Sequence, residues 1–314
     1  MRVLVLGGNG FIGSHLVDAL VAHSDKIDVI GLSPKLYNVF LTQSQKVQYH
    51  QGNFSDIQFL TPLLERADVI FHLISSTIPA TSNQNPIADI QDNLVATVQM
   101  LEVLRHLPSK RLIYISSGGT VYGTPQHIPV EESHPLDPKN SYGIVKVAIE
   151  KYLHMYADLY DVSSVVLRLA NPYGPRQMKI GVQGFIATVL MSKLQNKPIT
   201  IWGDGKVIRD YIYIDDVVNL LQRVAESREI GTFNVGSGVG YSLLNILEIA
   251  HEITQKDIQV NYLPSRNFDI PEIVLDIHRV CKKFDWQPEI SLKQGMEKHW
   301  QWLQQLNSVM GNRS

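Results

Sequence analysis

Two residues capable of acid–base chemistry lie four positions apart in a predicted helix that begins near the end of the segment 111–146. These residues are Tyr142 and Lys146. Side chains four apart on a helix project from one face, about 5–6 Å apart at Cβ. A phenol with an ordinary pKa of about 10 is a poor acid–base group at neutral pH, and a neighbouring ammonium favours its phenolate. Such a pair can move a proton on or off a substrate hydroxyl while a hydride leaves or reaches the same carbon.

The loop before this helix supplies hydroxyl groups that can complete a proton relay. The apolar strand RLIYISS (111–117) ends in a glycine-containing loop, and Ser117 and Thr120 are the candidates there. The Tyr-x-x-x-Lys spacing alone does not establish catalysis. It also occurs in helices in which the tyrosine packs and the lysine is solvated.

A second motif lies at the start of the chain. RVLVLGGNGFIGSHLVDALVAHS (2–24) predicts a strand, a glycine turn and an amphipathic helix. Gly7 makes the tight turn, Gly10 leaves space for a pyrophosphate at the helix N-terminus, and Gly13 lets helix and strand pack closely. The motif predicts dinucleotide binding. The predicted contacts in this turn are Gly7, Gly10, Phe11 and Ile12.

Residues after the next three predicted strands would complete the cofactor site. A fold that prefers NAD has an acidic residue at the end of its second strand, which binds the ribose hydroxyls. Here Ser33 and Lys35 stand there, and they can bind a ribose hydroxyl or a 2′-phosphate; Lys35 equally fits a solvated loop. NAD and NADP both stay open. The predicted contacts to the adenine and nicotinamide sides are Asn53, Phe54, Leu73 and Ser75.

Alternating strands and helices in the first half predict the fold. We place strands at 26–32, 47–52, 68–74 and 111–117, with a long helix at 87–106. This order predicts a Rossmann-type doubly wound parallel sheet, followed by a smaller C-terminal α/β substrate-binding domain. The predicted dinucleotide-binding domain is 1–170, to which segments near 209–235 return. The predicted second domain is 171–208 and 236–314.

Composition argues against several other classes of protein. The chain has 314 residues, 44% of them hydrophobic, and a net charge of −2, which gives no electrostatic basis for binding nucleic acid or an anionic membrane. The 11 histidines are scattered, so we expect no metal site. A single cysteine, Cys281, fits a reducing compartment. Without a signal-peptide pattern or an apolar run of about 18 residues, we expect a cytoplasmic protein.

Together these motifs resemble those of an extended short-chain dehydrogenase/reductase of the NAD-dependent epimerase/dehydratase family, and in particular of UDP-glucose and UDP-N-acetylglucosamine 4-epimerases. The resemblance covers nearly the whole chain. It rests on GGNGFIGSHL (7–16), SSGGTVYG (116–123), SYGIVK (141–146), LRLANPYGPRQ (167–177), IWGDGKVIRDYIYIDDV (201–217), FNVGSG (233–238) and RNFDIP (266–271).

The resemblance implies roles for the catalytic segment and shows one departure there. Tyr142 would be the acid–base group, and Lys146 would lower its pKa and hold the nicotinamide ribose. The family usually has Ser or Thr at the position of Gly118, close to the sugar O4. Ser117, Thr120 or a water molecule would then supply that hydroxyl.

The resemblance also implies a nucleotide-sugar site in the second half of the chain. Asn171 resembles a residue that binds the diphosphate, and Arg209 and Arg266 resemble two guanidinium groups that clamp it. Asp269 resembles the carboxylate that holds the nucleoside ribose. Each arginine also fits a surface ion pair, and Asp269 also fits a turn cap.

The segment that borders the pyrimidine base in the family corresponds here to Ile201 and Trp202. Related 4-epimerases narrow the sugar pocket with a bulky aromatic residue shortly after the Ile-Pro step. This chain has Ile273 near that position, which would leave space for an N-acetyl group.

The first hypothesis for function is a 4-epimerase of a UDP-hexose or UDP-N-acetylhexosamine, acting by transient oxidation at C4. The alternative is an NADPH-dependent 4-ketoreductase of a dTDP- or UDP-4-keto-6-deoxy sugar, which the missing acidic residue at Ser33 favours. A 4,6-dehydratase fits less well, because the family's dehydratases have Asp-Glu where this chain has Gly118 and Gly119. A non-catalytic dinucleotide sensor is a third hypothesis, and the presence of both Tyr142 and Lys146 argues against it.

The resemblance further implies a homodimer built from the long helix and the Tyr/Lys helix. Apolar residues of the long helix, among them Val95, Val98, Leu101 and Leu104, can face the sheet or a partner. Enzymes of this kind usually serve the synthesis of surface polysaccharide precursors.

Overall fold

A parallel seven-stranded sheet forms the centre of the computed structural model, which describes residues 1–31, 42, 44–79, 81–107, 109–177, 184–265 and 270–311. The strands are β1 (Arg2–Leu6), β2 (Lys26–Gly31), β3 (Val47–Gln51), β4 (Val69–His72), β5 (Arg111–Ser117), β6 (Ser163–Leu169), β7 (Asn171–Tyr173), β8 (Ile199–Trp202), β9 (Ile208–Tyr213), β10 (Gly231–Val235), β11 (Gly240–Ser242), β12 (Val260–Leu263) and β13 (Glu272–Ile273). The central sheet has the order β10-β6-β5-β4-β1-β2-β3.

Helices cover both faces of this sheet. They are α1 (Phe11–Leu20), α2 (Ile57–Arg66), α3 (Pro86–Asp89), α4 (Ala96–Leu104), α5 (Ser141–Tyr160), α6 (Phe185–Gln195), α7 (Ile214–Glu226), α8 (Leu243–Thr254), α9 (His278–Phe284) and α10 (Leu292–Gly311). Alternate residues of β1 serve opposite faces, as in any strand. Val3 and Val5 pack with α1 and α7, whereas Leu4 and Leu6 pack with α2, α4 and α5. The predicted Rossmann-type parallel sheet is therefore confirmed.

The predicted helix 87–106 differs in detail from the structure. A short 3₁₀ turn (Ser82–Gln84) precedes α3, and a π-helical segment (Ile90–Val95) separates α3 from α4. The wider turn holds the buried Asn93, whose side chain bonds the loop after β4. Sequence periodicity shows the apolar face of a helix but not such a local widening.

Smaller sheets follow in the second half. β9 pairs with β7 and β13 in parallel and with β11 antiparallel, and β8 pairs with β12. The chain returns to the central sheet through β10, which pairs with β6. Among the residues that the structure describes, no helix combines the length and apolar character needed to cross a bilayer.

Candidate active site

The glycine turn after β1 forms a close-packed cradle at the N-terminus of α1. Gly7 has φ +87°, a left-handed conformation that glycine adopts without strain. A Cβ on Gly13 would lie 2.2 Å from the carbonyl oxygen of Gly7, so only glycine allows this approach of helix and strand. The first helical hydrogen bond runs from the Ser14 amide to the Gly10 carbonyl. The amides before Ser14 therefore face away from the helix, where they fit a dinucleotide pyrophosphate.

The predicted adenine side of this site lies beside a cavity of about 450 Å³. Asn53 and Phe54 line it, and the Phe54 ring also packs 4.9 Å from the His72 ring. Leu73 belongs to the backbone that approaches Gly7 most closely. Ser33 and Lys35 lie outside the described residues, so their contacts to the cofactor stay predictions.

Tyr142 and Lys146 lie in the first two turns of α5. The Asn140 side chain caps this helix by accepting a hydrogen bond from the Gly143 amide at 2.8 Å. Lys146 Nζ lies 5.5 Å from the centroid of the Tyr142 ring and 4.7 Å from that of Tyr114. The same ammonium donates to the carbonyl of Ile115 at 3.0 Å. Strand β5 thus holds the lysine beside the tyrosine.

The pKa of Tyr142 differs from the expectation that Lys146 lowers it. Burial of the phenol raises its pKa to about 12, and the charge of Asp89 acts in the same direction. Hydrogen bonds between the phenol and the hydroxyls of Ser117 and Ser75 oppose the rise. Burial also lowers the pKa of Lys146 to about 8, which the nearby carboxylates of Glu150 and Asp89 partly offset. Loss of hydration therefore has the largest effect on the pKa of both groups, because burial removes the water that stabilises the phenolate and the ammonium.

Of the predicted hydroxyl groups, the structure brings Ser117 to the Tyr142 phenol. Thr120 Oγ1 is buried and has no hydrogen-bond partner among the residues that the structure describes. At Gly118, the space for a side chain is taken by Leu275: a Cβ would lie 2.5 Å from Leu275 Cδ1. A side chain with a hydroxyl at position 118, as the family has, would therefore require Leu275 to shift.

Ser75 was predicted as a cofactor contact, and the structure also places its hydroxyl at the Tyr142 phenol. Ser75 Oγ donates to the Thr77 carbonyl at 3.0 Å. The sequence carried a signal for this contact. Because β4 and β5 are parallel neighbours, residues just beyond their ends meet at one edge, where Ser75 follows β4 as Ser117 ends β5.

A buried ion pair lies behind the site and was not predicted. Arg168 Nη2 lies 2.7 Å from Glu150 Oε2, and both side chains are nearly inaccessible, at 5% and 1% exposure. Ser116 donates to the same carboxylate, and Arg168 Nη1 donates to the Tyr122 hydroxyl at 2.9 Å. The pair joins α5, which carries Tyr142, to β6.

The predicted nucleotide-sugar residues Asn171, Ile201, Trp202 and Arg209 line one cavity of about 250 Å³. Asn171 Nδ2 donates to the Asp210 carbonyl at 2.8 Å, which fixes the amide at the cavity wall. Trp202 is 42% exposed and Ile201 is buried. Arg266 and Asp269, the other two predicted contacts, lie outside the described residues.

Ile273 is not among the residues that line that cavity, and its expected effect on the space for the sugar stays a prediction. Its side chain is buried in a cluster with Val121, Tyr122 and Leu275. The strand β13 pairs with β9 and directs this residue into the core. Within the described ranges, no group of three or more His, Cys, Asp or Glu side chains is arranged to hold a metal ion.

A dinucleotide cradle after β1 and a Tyr–Lys pair at the carboxyl edge of a parallel sheet define an enzyme that uses a nicotinamide cofactor at a hydroxyl-bearing carbon. The model of the NAD dependent epimerase/dehydratase family matches residues 3–236. The chain belongs to this family, and the expected extended short-chain dehydrogenase/reductase class and NAD dependence are confirmed.

Individual relatives agree with this assignment over the full length of the chain. A UDP-glucose 4-epimerase of Mycolicibacterium smegmatis is 36% identical over 306 residues, which cover 95% of this chain and 97% of that protein. The structure of a Thermotoga maritima UDP-glucose 4-epimerase with UDP-glucose is similar with a TM-score of 0.93 and 31% identity. The match covers 98% of this chain and 100% of that chain. The structure of a Thermus thermophilus UDP-glucose 4-epimerase in complex with NAD is similar with a TM-score of 0.90 and 29% identity. The match covers 97% of this chain and 99% of that chain.

Proposed function

We propose that the protein is a 4-epimerase of a UDP-hexose or UDP-N-acetylhexosamine with NAD as its cofactor. The observation that carries this proposal is the Tyr142 phenol, which meets the Ser117 hydroxyl and lies beside Lys146 on a fold that has a dinucleotide cradle. The relatives named above support the UDP-sugar. We assign the dinucleotide to residues 1–170 with the return near 209–235, and the nucleotide sugar to 171–208 and 236–314.

The acid–base work falls to Tyr142. As a phenolate it would accept the proton of the sugar O4, and as a phenol it would return that proton after the sugar has presented its other face. Ser117 donates a hydrogen bond that favours the phenolate. Bound NAD would supply the hydride acceptor and donor for C4 and a positive charge near the phenol. Lys146, held by the Ile115 carbonyl, would bind the nicotinamide ribose.

The substrate must stay anchored while its sugar turns. The cavity with Asn171, Trp202 and Arg209 offers an amide, an exposed aromatic ring and a guanidinium group. We propose that Asn171 and Arg209 hold the diphosphate and that Ile201 and Trp202 border the base. Arg266 and Asp269 remain proposed partners for the second diphosphate contact and the ribose.

The test begins with the cofactor. Mass spectrometry of the small molecules released from undialysed protein should find NAD, and incubation with UDP-glucose and with UDP-N-acetylglucosamine, without added cofactor, should yield the galacto product. Replacing Tyr142 with Phe should slow turnover by about 10²–10⁴-fold, because the proton acceptor is lost. Tyr152→Phe, an exposed tyrosine of the same helix, is the matched control.

Two outcomes would contradict the proposal. A Tyr142→Phe protein as active as the parent would remove the phenol from the mechanism. Released NADP, with no epimerisation and with consumption of NADPH on 4-keto-6-deoxy sugar nucleotides, would establish the 4-ketoreductase instead.

We also propose a homodimer formed by α3, α4 and α5. Val95 is exposed, whereas Leu101 and Leu104 are buried against the sheet. The exposed apolar side chains on the π-helical segment and these helices are Ile87, Ile90, Val95, Ile144, Tyr152, Met155, Leu159 and Tyr160. Such a set favours a second copy as the cover. Sedimentation should give a dimer, and Leu159→Glu should give a monomer; a monomeric parent at micromolar concentration would contradict the proposal.

We propose a cytoplasmic role in polysaccharide precursor synthesis.

A further inference from the structure

Asp89 is a carboxylate with no access to solvent, at the end of α3. It accepts hydrogen bonds from Thr77 Oγ1 at 2.6 Å and Asn93 Nδ2 at 3.0 Å through Oδ1, and from Ser141 Oγ at 2.7 Å through Oδ2. No Lys or Arg of the described residues forms an ion pair with it. A charge buried in this way is costly unless other groups stabilise it, so its position calls for a function.

The three donors to Asp89 come from three separate elements that meet at the active site. Thr77 belongs to the loop after β4, and its carbonyl accepts the hydrogen bond of Ser75. Asn93 belongs to the π-helical segment, and it also bonds the Ser76 amide at 2.9 Å. Ser141 is the first residue of α5 and directly precedes Tyr142. One carboxylate thus holds the supports of both Ser75 and Tyr142.

Given the 4-epimerase activity proposed above, we propose that Asp89 is a positioning residue for the acid–base group. Its buried carboxylate fixes the Ser75 loop against the first turn of α5 and places a negative charge beside the Tyr142–Lys146 pair. This role goes beyond the Tyr, Lys and hydroxyl groups that touch the reacting atoms.

The charge of Asp89 acts on both members of the pair. It raises the pKa of Tyr142, and it opposes the lowering of the Lys146 pKa by burial. Both effects favour a neutral phenol beside a charged ammonium. The other titratable groups around the pair are Glu150 on α5, Tyr114 on β5 and His72 on β4, whose pKa burial lowers to about 3. His72 is therefore neutral near pH 7, which leaves Asp89 and Glu150 as the negative charges acting on Lys146.

Asp89→Asn separates the charge from the geometry. The amide oxygen can accept from Thr77 and Asn93, and the amide nitrogen can donate to Ser141, whose hydroxyl rotates to accept. Asp158→Asn removes an exposed carboxylate from the same helix as Tyr142 and is the matched control. Asp89→Ala removes both the charge and the three contacts.

The first measurement is the alkaline ultraviolet titration of the Tyr142 phenol, taken as the difference between each protein and its Tyr142→Phe counterpart. Asp89→Asn should lower the titration midpoint by about 1 pH unit, because a negative charge nearby disfavours the phenolate. Asp158→Asn should leave the midpoint unchanged. Superimposable titrations of the parent and Asp89→Asn would overturn the proposal.

The second measurement is the pH profile of epimerisation. Loss of the negative charge in Asp89→Asn should move the acid limb of kcat/KM to lower pH, whereas Asp89→Ala should lower kcat about tenfold or more with little change in KM. If Asp89→Ala does not fold, Asp89→Asn decides alone. The titration uses no sugar nucleotide, so a protein without epimerase activity would refute the proposed function while the titration still decides the role of Asp89.

Discussion

Replacing Arg168 with Met should strongly destabilise the protein, because it leaves the Glu150 carboxylate buried without its cation. Arg168 makes three hydrogen bonds to this carboxylate, at 2.7, 3.1 and 3.2 Å. After the change, among the residues that the structure describes, only Ser116 remains as a donor to Glu150. Breaking a buried pair by removing one partner costs about 3–5 kcal/mol in the free energy of unfolding. Glu150→Met should cost a similar amount.

The double variant Arg168→Met/Glu150→Met distinguishes a buried charge from lost packing. It removes both charges, so its free energy of unfolding should fall by much less than the sum of the two single losses, with a coupling of about 3 kcal/mol. Urea unfolding followed by circular dichroism measures the four proteins. The exposed pair Lys293–Glu252, 2.9 Å apart, is the control and should show a coupling of about 0–1 kcal/mol. Additive losses at Arg168 and Glu150 would refute the reasoning.

Three further changes follow from single contacts. Gly118→Ser should lower the free energy of unfolding by about 1–3 kcal/mol because its Cβ meets Leu275, and adding Leu275→Ala should recover part of that loss in urea unfolding. Burial lowers the pKa of Lys146 from 10.5 to about 8. Between these pH values the unfolded chain binds the extra proton, so the parent should gain stability relative to Lys146→Met as the pH rises through this range. His299→Leu should raise the free energy of unfolding by about 1 kcal/mol, because both ring nitrogens are buried and have no hydrogen-bond partner within the described part of the chain.

Each of these changes has a result that would contradict it. A Gly118→Ser protein as stable as the parent would show that Leu275 moves aside without cost. A stability difference between the parent and Lys146→Met that stays constant with pH would mean that the lysine keeps its ordinary pKa. Burial lowers the pKa of His299 to about 3, so the advantage of His299→Leu should grow as the pH falls below 6.5. If the stability advantage of His299→Leu stays constant or shrinks as the pH falls, burial does not lower the pKa of His299.

The positions of the strands along the chain could be predicted from the sequence because each strand carries its own local signal. The predicted strand 111–117 coincides with Arg111–Ser117, since its central residues 112–115 are apolar or aromatic and Gly118 follows its last residue. The predicted strand 68–74 is longer than Val69–His72. The apolar residues after His72 leave the sheet to approach the glycine turn, and that contact is between segments far apart in the chain.

The chemistry of the site was only partly predictable. The spacing of Tyr142 and Lys146 on one helix is local, and the structure places Lys146 beside the Tyr142 ring as that spacing implies. The rise in the pKa of Tyr142 could not be predicted, because it depends on burial and on groups that α3, the loop after β4 and the end of β5 bring to the phenol. Asp89 could not be found because its role depends on three elements that meet only in the fold: Asn93 is four residues away, but Thr77 lies on the loop after β4 and Ser141 is 52 residues away.

The return of the chain to its first sheet through β10 has a consequence for synthesis on the ribosome. Until residues 231–235 have emerged, β6 presents an unpaired edge, and until Ile214–Glu226 has emerged, α1 lacks the cover of α7. Unpaired edges invite pairing with other chains, and pairings distant in sequence form slowly. No single cut near residue 170 would release a complete sheet. The nascent chain therefore has to keep its first half from aggregating while roughly a fifth of its length, 171–230, is still being added.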